Sequence, residues 1–224
     1  MKQHSASFNK RLFFLVTVSF LLITTLSACK LIPETDLDRG GTIVSQDPFG
    51  DSYTSIKYLD QGWNIADSMW FYNTTQGSNL MPYDFFMVLE KEDGQLFRSN
   101  ENMNYYRYLI RKPGSGNPDG LPVGWVKDDY KGQEYIGLTC AACHTGQINY
   151  NGIAVRIDGG PAMADMGTIM LDLAMALNRT RKDEGVKNRF VKNVMARGNY
   201  KSESAVIEDL DRHALRIASY VSIN

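Results

Sequence analysis

Thr139-Cys140-Ala141-Ala142-Cys143-His144-Thr145-Gly146 is the stretch around which the rest of the chain reads. Cys-x-x-Cys-His is the attachment signature of a c-type haem. On one helical turn residues three apart share a face, so Cys140 and Cys143 can each form a thioether with a vinyl group of one porphyrin. His144 then lies under the iron, where an imidazole nitrogen is a suitable proximal ligand and helps set the potential. A Cys-x-x-Cys pair alone would also serve a redox dithiol or half a structural zinc site. Zinc needs four ligands, and beyond the motif the mature region offers only His213 and no second Cys pair. The expectation is one covalently attached haem c on Cys140, Cys143 and His144.

The N-terminus reads as a targeting segment. Lys2, Lys10 and Arg11 form a positive region, Leu12 to Leu26 is an apolar run, and Leu26-Ser27-Ala28-Cys29 resembles the lipobox of a bacterial lipoprotein. That resemblance implies a signal peptide over residues 1–28 and lipidation of Cys29. Residues 29–54, with Gly40-Gly41, Pro48 and Gly50, then read as a lipidated tether, and 55–224 as the haem domain. The apolar run is shorter than the roughly 20 residues a membrane span needs, so the protein is expected to sit on the membrane without crossing it. All 3 Cys are thereby assigned, and none is left for a disulfide. Thioethers of c-type cytochromes are made on the periplasmic side, the same side as the anchor. Lys30, in place of the Asp that retains lipoproteins at the inner membrane, points to the outer membrane. Charge is balanced, 24 Lys+Arg against 25 Asp+Glu, so composition gives no sign of a nucleic-acid surface.

The remaining pattern is mostly helical. Trp63, Ala66, Met69 and Trp70 fall near helical spacing within Tyr58 to Asn73, Pro82 suits the start of a helix carrying Phe85, Phe86 and Leu89 to Gly94, and Ser99 to Ile110 reads as a third. Arg111 to Val126, dense in Pro and Gly, reads as a loop that either links domains or packs over the cofactor. Asn151-Gly152 between alternating runs predicts a type I′ hairpin, with an apolar face beside the haem motif and Arg156 on the opposite face, towards solvent or a propionate. A long helix is expected from Pro161, then helices over 182–197 and from Ser202 or Ser204. The expected fold class is therefore mainly α: a cytochrome c-like haem domain with a small β-hairpin after the motif. Met163, Met166 and Met170 on the long helix, and His213 on the last, are candidates for a sixth iron ligand, although a Met stripe at helical spacing also serves as core.

Five stretches carry a family likeness: Phe71 to Gly77 (FYNTTQG), Met81 to Phe85 (MPYDF), Asn117 to Gly124 (NPDGLPVG), Leu138 to Gln147 (LTCAACHTGQ) and Arg156 to Ala162 (RIDGGPA). Together they resemble the N-terminal half of the di-haem cytochrome c peroxidase-like proteins, most of all the rubber oxygenase-like branch. The resemblance implies two haem domains, one catalytic and one an electron relay. With a single motif, this chain would hold only the first and would lack its second haem domain through truncation, or gain it from a partner chain. Electron transfer with a redox partner protein is the primary expectation. The alternative is a haem peroxidase or oxygenase acting with a small-molecule oxidant, or an inactive fragment of one.

Overall fold

The structure is a computed structural model that describes residues 39–44 and 52–223. The expected signal peptide, Cys29 and most of the tether lie outside the described residues. The tether residues that are described pack onto the domain: Arg39 is buried and Gly41 bridges Arg111.

The expectation of a mainly α fold is not met. Among the described residues six strands form two three-stranded sheets beside six α-helices, a mixed α/β architecture. The first sheet combines β2 (Met81–Pro82), β3 (Trp125–Tyr130) and β4 (Gln133–Leu138) in the order β2-β4-β3, all antiparallel. Lys131 and Gly132, both at positive φ (56° and 77°), turn the chain between β3 and β4. That is the backbone a type I′ turn requires. Trp125 and Ile136 of this sheet are buried against α2 (Tyr83–Val88), with the Trp125 ring stacked on Phe86 at 5.3 Å between centroids. Three longer helices complete the main core: α4 (Met166–Lys182), α5 (Glu184–Ala196) and α6 (Glu203–Ile223). Each buries one stripe, including Ile169, Leu173 and Leu177 on α4, Phe190 and Val194 on α5, and Val206, Leu210 and Ile217 on α6.

The second sheet has the order β1-β6-β5, from β1 (Ser55–Tyr58), β5 (Thr145–Tyr150) and β6 (Ile153–Asp158). The hairpin turns at Asn151-Gly152 with both residues at positive φ, as the sequence predicts. Its orientation is the reverse of expectation. Ala154, Arg156 and Asp158 face inward and are buried, while Ile148 and Tyr150 are 59% and 72% exposed. Helix α1 (Ile65–Asn73) is inverted in the same sense. It buries Ser68 and Tyr72 and leaves Trp70 70% exposed. The two polar faces meet: the Asp158 carboxylate accepts from Ser68 Oγ at 2.7 Å and from the Tyr72 hydroxyl. A buried carboxylate needs such donors to offset lost hydration, and these donors lie on α1's polar face.

Three helix expectations also shift: the helix expected to run from Pro82 to Gly94 is only Tyr83–Val88. The third helix is only α3 (Asn100–Tyr105), capped by Ser99. The long helix begins at Met166 rather than Pro161, because Asp165 caps it through the Thr168 N–H (2.9 Å) and the backbone N–H groups of Gly159, Gly160, Ala162 and Asp165 are committed to non-helical bonds.

Candidate functional site

Thr139 opens the motif by capping a single 3-10 turn, Cys140–Ala142, its Oγ1 accepting from Ala141 N–H at 3.2 Å. The His144 N–H reaches back to the Cys140 carbonyl at 3.0 Å, which adds one α-type bond. The local fold is thus tighter than the helix the spacing suggested, yet it sorts the residues in the required way. Ala141 and Ala142 are 2% and 3% exposed and point into the protein, whereas Cys140, Cys143 and His144 are all exposed. Neither cysteine is in a disulfide.

The inward side is closely fitted. Gly124 sits at φ +87°, and a Cβ there would lie 2.2 Å from Ala142 Cα. The Pro-Gly loop therefore packs beneath the motif, and only glycine permits that approach. Val123 and Tyr72 cluster with Ala141 on the same side.

A second segment runs along the motif. The Gly159 N–H donates to the His144 carbonyl at 2.8 Å and the Ala162 N–H to the Cys143 carbonyl at 2.9 Å. Pro161 O lies 2.8 Å from where a Cβ of Gly146 would be. Tyr108, buried nearby, donates its hydroxyl to Met166 Sδ at 3.6 Å. Burial first, then the charges of Cys143 and Asp165, raise its pKa beyond the usual phenol range, so it stays a donor at neutral pH.

The structure separates the four candidates for a sixth ligand. Met163 is 63% exposed and follows Ala162 on the segment beside the motif, and Met166 is half-buried against Tyr108. Met170 is 6% exposed within the main core. His213 is 3% exposed, with Phe85 and Tyr135 rings 6.4 and 6.2 Å away. The Leu80 carbonyl lies beside the imidazole but takes its hydrogen bond from Arg216, and neither ring nitrogen has a partner of normal geometry. Burial, reinforced by Arg216, lowers the His213 pKa to about 4, so the ring is neutral at pH 7.

The exposed set fits a haem in its chemistry. Two free thiols and an imidazole are exposed within five residues, and a haem uses the sulfurs to reach carbon and only the imidazole to reach iron. Among the described residues no group of three or more His, Cys, Asp or Glu is arranged to hold a metal ion directly.

Sequence reasoning did not anticipate the polar cluster behind the motif. Asp158 also pairs with Arg39 (3.5 Å), and Arg156 is fully buried, donating from Nε to Gln147 Oε1 at 2.9 Å and from its other nitrogens to the Tyr58 hydroxyl and the Ile110 carbonyl. The signal was present in the hairpin, where Gln147, Arg156 and Asp158 share one face by alternation.

No protein-family model and no solved structure matches the chain. A curated protein does: the uncharacterized protein y4iJ of Sinorhizobium fredii (strain NBRC 101917 / NGR234) is 29% identical over 181 residues. The alignment covers 70% of this chain, and the chain spans 30% of that relative's length. The relative's name carries no activity.

Proposed function

We propose that the chain is a c-type haem protein, with Cys140 and Cys143 as the covalent attachment sites and His144 as the proximal ligand. One observation carries this reading: the motif buries both alanines and leaves all three reactive side chains exposed, with both thiols free. When bound, the haem would supply a one-electron couple. His144 would hold the iron, and the backbone bonds from Gly159 and Ala162 fix the carbonyls of His144 and Cys143 and so the direction of the turn. Exposure of the site favours electron exchange with a redox partner protein, on the periplasmic side of a bacterial membrane with Cys29 as the lipid anchor.

A second reading, a peroxidase or oxygenase, is favoured by the burial of Met170 and His213 in the core, apart from the exposed motif. The optical spectrum of the protein matured with haem, with and without carbon monoxide, separates the two. Low-spin haem that ignores carbon monoxide supports electron transfer; high-spin haem that binds it supports an open site and the enzyme. Replacing His144 with Ala changes the haem spectrum, and an unaltered spectrum would sink the ligand assignment.

A further inference from the structure

Arg111 and Arg156 are 3% and 0% exposed, and neither forms an ion pair with a carboxylate among the described residues. Arg111 donates to Asn73 Oδ1 at 3.1 Å and to Met69 Sδ, its guanidinium lies over the Tyr72 ring at 5.3 Å, and its Nε has no partner. The one buried carboxylate of the cluster, Asp158, is taken up by Ser68, Tyr72 and Arg39. Burying a guanidinium without an opposing charge is costly, and this fold does it twice behind the same strands. The ladder places two members: Asp158 pairs with Thr145, the residue after His144, and Arg156 pairs with Gln147, two residues further on; Arg111 is tied in through the Tyr72 ring, which packs against Ala141 of the motif. At the rise of a strand, Gln147 lies roughly 10 Å from His144.

We propose that Arg111 and Arg156 form a fixed positive charge behind the haem site that raises its reduction potential, partly offset by Asp158. This rests on the haem reading above. Reduction adds one electron at the iron, so a nearby positive charge favours the reduced form. The charges act through the interior, where water screens them little. A unit charge acting over somewhat more than that separation, at an effective dielectric of about 20, biases a one-electron equilibrium about five- to tenfold.

The test is a spectroscopic redox titration of the matured haem protein. In a buffer that holds the wild type half reduced, Arg156→Gln lowers the reduced-to-oxidised ratio about five- to tenfold, Arg156→Lys restores it, and Asp158→Asn raises it. Opposite shifts from opposite charge changes are not what loosened packing produces. If Arg156→Gln does not fold, Arg111→Gln and Asp158→Asn carry the same contrast. A ratio that stays put, or that moves in one direction in every variant, overturns the charge inference with the haem reading intact. A wild type that retains no covalent haem overturns both.

Discussion

The two sheets of this protein reach the interior by opposite routes. The sheet of β2, β3 and β4 presents Trp125 and Ile136 to the main core, in the usual manner of a sheet with one apolar face. The sheet of β1, β5 and β6 presents Arg156 and Asp158 inward and leaves Ile148 and Tyr150 exposed. Each route is internally consistent. The first is held by apolar area removed from water. The second is held by a hydrogen-bonded charge cluster that helix α1 completes with Ser68 and Tyr72. Alternation marks a strand and divides its faces, but the inner face is chosen by what the neighbouring element offers.

Four substitutions or conditions would break or sharpen that contrast. The largest effect is expected at Asp158. Asp158→Ala removes the carboxylate partner of Arg39 and the acceptor of the Ser68 and Tyr72 hydroxyls and should cost about 3–5 kcal/mol in urea unfolding; a loss within the range of a surface change would mean the polar cluster does not hold the second sheet. Next is Gly124→Ala, where positive φ and the contact with Ala142 combine to cost roughly 2–4 kcal/mol. Wild-type stability in that variant would show that the loop does not press on the motif.

The third concerns neutral His213, buried beside Phe85 and the Tyr135 ring of the apolar sheet. Its folded pKa is lowered from 6.5 to about 4, so the unfolded chain binds the proton more readily in that window. Stability is complete above pH 6.5 and falls as pH drops towards 4. His213→Phe should flatten this part of the profile, and an unchanged slope would assign the acid sensitivity elsewhere. The smallest effect is expected on the outer face of the hairpin. Ile148→Thr should change stability by less than about 0.5 kcal/mol, since the side chain is 59% exposed. A core-sized loss there would reverse the assignment of faces.

Much of the local structure was legible from residue patterns. Asn151-Gly152 marks its turn because two adjacent residues must take positive φ. Helices α4, α5 and α6 follow apolar stripes at three and four residues. The motif's residue types announce their chemistry, and the structure adds how they are sorted, alanines inward and Cys140, Cys143 and His144 outward. What escaped was non-local. β1 is four residues long and exists through parallel pairing with β6 nearly a hundred positions away. β3 carries Lys127, Asp128 and Asp129 in a row, which hides its alternation. The burial of Arg156 depends on partners from β1, β5 and the Ile110 carbonyl, a convergence no window along the chain displays. The start of α4 was displaced for a similar reason: Ala162 bonds to Cys143, so the expected first turn is committed to the motif.

The most direct test of the account is whether haem stays on the polypeptide under denaturing conditions after expression with c-type maturation. Intact mass and in-gel haem staining should show one haem per chain, retained through acid and organic extraction and lost when Cys140 and Cys143 are both changed to Ser. A chain that emerges without haem, with both motif thiols free to alkylation, would contradict the central claim.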